Sequence, residues 1–289
     1  MQSGELKRRL LHTFHYWMNT EVHVYGFSIA ANVLLSFFPF LIVMLSLMRE
    51  VFGLDGAANA INMVLNDYFP GKLGEFIGNN LKVNVEGHRA LQIVSVLLLL
   101  FTANGVFEPL EVALNKAWGI TKNRSFLRNQ LISLGLIFVC GTLALGSAMM
   151  TGLSMMALGD QGISRFLVLF VFKMAAIPLS ILLLFLIYWR LPNAKISARF
   201  VLPPAIFVGL TLEALKYVNL LVLPHWLKKL HAEYGPFYYS VTIVLWSFLA
   251  SMIILAGAEW AAQDAAEDRE RGLSRSGPIA TPKAEHLYS

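Results

Sequence analysis

The chain contains little charge and almost no cysteine for its length. Of its 289 residues, 14% are Asp, Glu, Lys or Arg, whereas a soluble domain usually has about 25%. These charges are too few to cover a folded core of this size, and a chain with 56% apolar residues is not disordered either. Cys140 is the single cysteine, so a disulfide framework within the chain is excluded.

Sequence patterns of several enzyme classes are missing as well. The chain has neither the glycine patterns that bind nucleotide phosphates, nor the nucleophile elbow of serine hydrolases, nor the HExxH pattern of zinc proteases. The seven histidines have no metal-ligand spacing, and the five aspartates form no compact acidic cluster. We therefore predict no catalytic residue, no metal site and no cofactor, and we expect that the protein is not an enzyme.

Long apolar runs are what the sequence has instead. A helix needs roughly 20 mostly apolar residues to cross a bilayer, and six segments reach that length. Their apolar residues are continuous and do not alternate with period two, which favours helices over barrel strands. We predict an all-α, polytopic membrane protein with six transmembrane helices. The predicted spans are residues 27–48, 90–112, 131–152, 166–189, 200–223 and 238–260.

The distribution of lysine and arginine predicts the orientation of the spans. With the N-terminus in the cytoplasm, the inner segments 1–26, 113–130, 190–199 and 261–289 contain fourteen basic residues, and the outer segments contain seven. Basic residues are enriched in short cytoplasmic segments, so both termini are predicted to be cytoplasmic. The basic residues of the cytoplasmic segments thus account for the net charge of +5. We therefore expect no nucleic-acid partner.

Three segments outside the spans complete the predicted organisation. Residues 1–26 form either an interfacial amphipathic segment or an ordinary lead-in to the first span. The outer loop 49–89 has two stretches with apolar residues at helical spacing, separated by Pro70-Gly71, which predicts short amphipathic helices that rest on the surface, cap the bundle or form a lid. The membrane domain is residues 27–260, and residues 261–289 are predicted to form a flexible cytoplasmic tail.

Charged residues within the spans are the first candidates for function, because a charge at membrane depth is costly and normally faces protein or water. By helix rise, Lys173, Glu213 and Lys216 lie in the outer half of spans four and five. Glu213 and Lys216 are three residues apart and share a helix face. The carboxylate of Glu213 can therefore pair with Lys216 or with Lys173.

A second polar group lies toward the cytoplasmic ends of spans one, two and six. Two interpretations stay open for all the polar candidates: polar links between helices with ordinary snorkelling at the ends, or a polar path through the bundle. Small residues such as Ala205 and Gly209 predict close helix contacts. The cytoplasmic-side candidates are Asn32, Asn104, Glu108, Glu111, Asn115 and Glu259.

Four short segments resemble the YihY/virulence factor BrkB family. Residues 30–39 (AANVLLSFFP) are similar to its first span, and residues 105–118 contain a Leu-Asn-x-x-Trp segment like the one after its second span. Leu191-Pro192-Asn193 before span five also fits. Tyr234-Gly235, Leu245-Trp246 and Gly257-Ala258-Glu259 resemble the last span.

This resemblance implies a six-span protein of the bacterial inner membrane, in a family whose members are linked to virulence and suspected of transporting envelope lipids. We expect a transporter or exporter of an envelope component such as an anionic lipid. Membrane lipids and an envelope lipid or solute are the expected partners, and an oligomer stays open. The alternatives are a non-transporting membrane scaffold for envelope proteins and a ribonuclease, an activity after which some members are labelled but which nothing in the sequence supports.

Overall fold

The described part of the chain is helical throughout. The structure, a computed structural model, describes residues 11, 15–50, 89–121, 125, 128, 130–136, 138, 139, 141, 142, 177–194 and 196–275. These residues contain helices, turns and bends and no strand, which confirms the all-α class for this part. The predicted loop helices within 51–88, residue Lys173 and the last residues of the tail, 276–289, lie outside the described residues.

Five helices form most of the described part of the chain. A single 3₁₀ turn, Gly235–Phe237, joins the last two, and residues 131–136 are helical as well. The helices are α1 Thr20–Glu50, α2 Arg89–Ala117, α3 Ile177–Arg190, α4 Ala198–Tyr234 and α5 Tyr238–Arg275.

Three of the described helices have the length and apolar character to cross a membrane. The qualifying segments are Thr20–Ser46, Ala198–Tyr234 and Tyr238–Asp268, which correspond to predicted spans one, five and six. Helix α3 is apolar but shorter, since its described residues begin at Ile177 within predicted span four. The protein is thus a helical membrane protein, and the total of six spans stays a prediction.

The last helix is longer than its predicted span. Helix α5 continues for fifteen residues beyond the predicted end at residue 260, so the first half of the segment predicted as a flexible tail is helical. Ala261, Ala262 and Ala265 are buried there, and Arg199 of α4 pairs with Asp268 at 2.6 Å. The charges of this segment indicated a solvated tail, but its alanines have high helix propensity and form a buried face.

Helices α4 and α5 form an antiparallel hairpin whose helices are in contact near both ends. We call the end with residues 191–197 the inner end, following the predicted orientation. Near it, the rings of Phe207 and Trp260 meet edge to face with centroids 5.5 Å apart, and at the outer end His231 contacts Tyr238 at 4.9 Å. The turn between the helices begins at Gly235, whose φ of 54° is a conformation that favours glycine.

Helix α1 packs against both α2 and α5. The phenyl rings of Phe27 and Phe248 stack with centroids 4.1 Å apart, and the Trp17 indole donates a hydrogen bond of 3.1 Å to the carbonyl of Met252. Toward the inner end, buried side chains from all five helices form one apolar core that includes Leu114, Leu184, Val201 and Leu255. This core fixes the helices around the polar groups described below.

Gly209 lies at a close contact between helices, as its spacing predicts. A Cβ atom at Gly209 would lie 2.7 Å from Cγ1 of Ile181 in α3, so the absence of a side chain allows α3 and α4 to approach.

We expect Gly209→Leu to lower the free energy of unfolding by about 1–3 kcal/mol, because the added side chain must separate the two helices. Thermal unfolding of the purified protein in detergent measures this change. Gly135→Leu is the matched control, since nothing lies within 4 Å of a Cβ atom there. Equal loss of stability in both variants would contradict the assignment of the contact.

Candidate functional site

A cavity of about 260 Å³ lies where α3, α4 and α5 meet. A water molecule occupies about 30 Å³ in the liquid, so the cavity has room for a small polar head group but not for a whole lipid. Among the described residues its wall is mostly apolar, with one pair of charges, one amide, two hydroxyl groups and one indole N–H. The lining residues are Ser180, Leu212, Glu213, Leu215, Lys216, Asn219, Ile243, Trp246, Ser247 and Ala250.

Helical periodicity explains why these residues share one space. The α5 residues Ile243, Trp246, Ser247 and Ala250 are spaced i, i+3, i+4 and i+7, which places them on one face. The α4 residues from Leu212 to Asn219 follow a similar spacing. Because the hairpin is antiparallel and in contact at both ends, these two faces lie opposite each other and line the cavity together.

Glu213 and Lys216 form an ion pair in the cavity wall, as the sequence predicts. The Lys216 ammonium donates to the Glu213 carboxylate, and the two side chains are only 11% and 12% exposed. The ammonium also lies 5.3 Å from the ring centroid of Tyr217, within the range of a cation–π contact. Removing two charges from water is costly, so a pair at this depth is tolerated only because each charge has its partner.

The position of the pair along α4 differs from the sequence estimate. Helix α4 extends to Tyr234 and does not end near residue 223, so Lys216 is its middle residue. At 1.5 Å per residue it lies about 27 Å from either end of the helix. The estimate placed the pair closer to the outer end because Pro224 and the charged residues after it were taken as a loop.

Three polar residues of the cavity were missed by the sequence analysis. Asn219 is buried at 7% exposure, and Ser180 and Ser247 line the wall. The Ser180 hydroxyl donates to the carbonyl of Ile177 at 2.9 Å, which leaves its oxygen able to accept a bond. Asn219 follows Lys216 by three residues, just as Lys216 follows Glu213, so this spacing could have identified Asn219 from the sequence. The two serines could not have been identified from the sequence, since serine is common in membrane helices.

Glu111 and Asn115 lie elsewhere, at the inner end of α2, where they are almost fully buried. The Asn115 amide donates to the Glu111 carboxylate at 3.4 Å and its oxygen accepts from the backbone N–H of Asn193 at 2.8 Å. Asn193 belongs to the turn after α3. Asn115 therefore ties this turn to α2, which is a structural role.

Three further predicted residues belong to α1 and α2. The Asn32 amide donates to the carbonyl of Ser28 at 2.9 Å and fills the space beside Gly105, where a Cβ atom would collide with it. Glu108 is exposed. Asn104 lies in α2, and its side chain is outside the described residues. Asn32 thus serves the contact between α1 and α2.

Glu259 lies at the inner end, apart from the cavity. Its carboxylate accepts a bond of 3.1 Å from the Gln263 amide. Burial raises the pKa of the Tyr16 phenol, and the nearby Glu259 carboxylate raises it further. Along α5, Glu259 lies nine residues beyond the last cavity residue, Ala250, a separation of about 14 Å.

Tyr188 occupies the level between the cavity and Glu259. It is fully buried, and its hydroxyl donates to the carbonyl of Ile254 at 2.7 Å. A Cβ atom at Gly257 would lie 2.6 Å from the same hydroxyl, so the ring is packed directly on α5. The predicted polar residues whose side chains the structure describes are therefore divided between two levels of the bundle, and among them Glu213 and Lys216 line the cavity.

Comparison with known proteins identifies the family. The family model for virulence factor BrkB matches residues 13–280. The chain belongs to this family. The finding confirms the resemblance that residues 30–39, 105–118 and 191–193 indicated. No solved structure matches the chain.

Relatives within the BrkB family are named as membrane proteins or as ribonuclease-like. The UPF0761 membrane protein PSHAa0171 of Pseudoalteromonas translucida is 24% identical over 84% of this chain and 81% of its own length. The ribonuclease-like protein YfkH of Bacillus subtilis is 28% identical over 80% and 86%. The match to UPF0761 membrane protein PsycPRwf_0630 of Psychrobacter sp. is 25% identical and covers 80% of this chain but only 44% of that protein.

Breaking the buried pair should destabilise the protein. We expect Glu213→Gln to lower the free energy of unfolding by about 3 kcal/mol, because it removes a partner of a buried ammonium group. Changing Lys216→Gln as well should restore part of the loss, since no buried charge is then left without its partner.

The matched control is Glu233→Gln on the same helix. Its carboxylate lies 3.9 Å from the Lys229 ammonium, with both side chains largely exposed, so the change should stay below about 1 kcal/mol. Thermal unfolding in one detergent compares the four proteins. If Glu213→Gln is as stable as Glu233→Gln, the pair does not support the fold.

Proposed function

We propose that this BrkB-family membrane protein is a transporter or exporter of an envelope component with an anionic head group, such as an anionic lipid. The observation that carries the proposal is the cavity between α3, α4 and α5, which holds the Glu213–Lys216 pair in a largely apolar wall. A charged residue within a membrane-spanning helix is by default a candidate for a substrate or ion pathway.

The lining of the cavity supports an amphipathic ligand. Leu212, Leu215, Ile243 and Ala250 provide apolar contact, while the Lys216 ammonium is a compact charge suited to a phosphate or carboxylate oxygen. In an apolar surrounding, a charge-assisted hydrogen bond is stronger than in water. Lys216 is thus proposed to hold the head group, and the apolar wall the adjacent part of the ligand.

The packing at Tyr188 supports a barrier on the inner side of the cavity. Its ring is fully buried, and its hydroxyl is held on the carbonyl of Ile254. For transport across the bilayer the cavity must be reached from different sides at different times. In this conformation, Tyr188 is proposed to separate the cavity from the cytoplasmic polar residues.

We also propose where the protein lies and what kind of process it carries out. The protein resides in the bacterial inner membrane with both termini in the cytoplasm, in agreement with the excess of basic residues in the inner segments. Membrane lipids surround it and supply the ligand. Transport of this kind makes and breaks no covalent bond in the ligand, so no catalytic residue or cofactor is assigned.

A lipid-transfer assay in proteoliposomes tests the proposed function. An anionic phospholipid with a fluorophore on one acyl chain is reconstituted with the protein, and an impermeant quencher reports its movement between leaflets. The parent should accelerate this movement over empty vesicles. Lys216→Gln should lower the protein-dependent rate by about tenfold or more, which is the effect of losing a charged hydrogen bond in an apolar site.

Lys229→Gln is the matched control, because the Lys229 side chain is 77% exposed and should leave the rate unchanged. A parent rate equal to that of empty vesicles would contradict the transporter and favour the membrane scaffold. A Lys216→Gln rate equal to the parent's would show that the cavity is not the transport site.

A further inference from the structure

The cavity has room for a head group only, so the acyl chains of a bound lipid must lie on a surface next to it. Its volume is about 260 Å³. Acyl chains are apolar and stay out of water, so the surface that receives them must be apolar, must face the bilayer and must border the ion pair. One face of α4 has all three properties.

Large side chains follow each other before and after Glu213 on this face. Residues three, four or seven positions apart share a helix face. Four residues at these distances from Glu213 are apolar or aromatic and 40–49% exposed, in a helix that is long and apolar enough to cross a membrane. They extend for about 21 Å along α4, out of a hydrocarbon thickness of roughly 30 Å. We call them the α4 stripe: Ile206, Leu210, Tyr217 and Leu220.

The ion pair borders the α4 stripe, although its own side chains are buried. Glu213 lies on the same helix face, and its carboxylate pairs with the Lys216 ammonium in the cavity wall. The Tyr217 ring belongs to both surfaces, because its side chain is exposed and its centroid lies 5.3 Å from the Lys216 ammonium. A single side chain thus connects the exposed stripe with the buried charge.

The composition of the α4 stripe favours an acyl chain over a second helix. Helix contacts within a bilayer use small residues that let backbones approach, as Gly209 does against Ile181. The stripe has two leucines, an isoleucine and a tyrosine instead, which keep another backbone at a distance. A flexible acyl chain needs no close backbone contact and packs against such a surface.

We propose that the α4 stripe holds an acyl chain of the anionic lipid whose head group lies at Lys216, so that the lipid enters the cavity sideways from the bilayer. The inference rests on the proposed function and assigns the route of its ligand. The anionic group contacts the ammonium beside Tyr217, while the chain stays in hydrocarbon along Leu210 or Leu220. Entry by this route never brings the chains into water, which entry from an aqueous side would require.

Photolabelling of the full chain in phosphatidylcholine nanodiscs tests the assignment. The probe is phosphatidylglycerol with a diazirine on one acyl chain, and peptide mass spectrometry locates the label. Val218 is the internal reference, because it is 48% exposed but lies about 160° around the helix from Leu220. The stripe should be labelled about threefold or more above Val218, as expected when a charged hydrogen bond retains the lipid. Lys216→Gln should reduce the stripe to the level of Val218.

A pair of matched variants tests the chain contact without changing the ion pair. Leu220→Gln should weaken binding of phosphatidylglycerol by about threefold to tenfold, because an amide replaces the apolar contact of the chain. Val218→Gln exposes the same amide to the bilayer on the other side of α4 and should leave the affinity unchanged. Native mass spectrometry of the three proteins in one neutral detergent measures the affinities.

Three results would overturn the proposal. Equal labelling of the stripe and Val218 by the phosphatidylglycerol probe would show that only the surrounding bilayer contacts this face. Equal affinities of Leu220→Gln and Val218→Gln would exclude a chain at Leu220. Protection of the stripe from the label in a dimer would assign it to a second copy of the chain.

Failure of this proposal is distinguishable from failure of the proposed function. If the proteoliposomes move no lipid while the stripe is labelled selectively, the transport function is wrong and the lipid site stands. If they move lipid while labelling is uniform, transport stands and sideways entry along α4 is wrong.

Discussion

The close antiparallel contact between α4 and α5 is the constraint on which the rest of the described structure depends. Lipid chains are as apolar as the helices, so the hydrophobic effect does not hold helices together within a bilayer, and contact must come from small residues and polar links. In this hairpin Gly257 lies against Val208, and Arg199 pairs with Asp268. The contact fixes which residues of the two helices lie opposite each other.

The alignment of α4 against α5 determines both the cavity and the charged residues that line it. With the hairpin ends fixed, the α4 residues around Lys216 lie opposite the α5 face that includes Trp246. Lys216 and Glu213 are then held as an ion pair in a largely apolar wall. The helix contact that stabilises the hairpin thus also places the buried pair.

The sequence predicted those features that depend on local patterns. Apolar runs predicted the helices, the i, i+3 spacing predicted the pair of Glu213 and Lys216, and the small residues predicted the contact at Gly209. The depth of a polar residue in the bundle, and the set of residues that lie together, were harder to predict, because both depend on where helices end and which helix faces meet. The buried alanines of residues 261–275 extend α5 into the predicted tail, and Asn115 turned out to hold the backbone of Asn193. Neither result follows from the spacing of residues within one helix.

The most direct test of this account is a structure determined by electron cryomicroscopy in nanodiscs that contain phosphatidylethanolamine and phosphatidylglycerol. The account predicts density for a lipid head group in the cavity, with its anionic group next to the Lys216 ammonium and the acyl chains outside the cavity. A cavity that holds only water, with Glu213 and Lys216 still paired to each other, would contradict it.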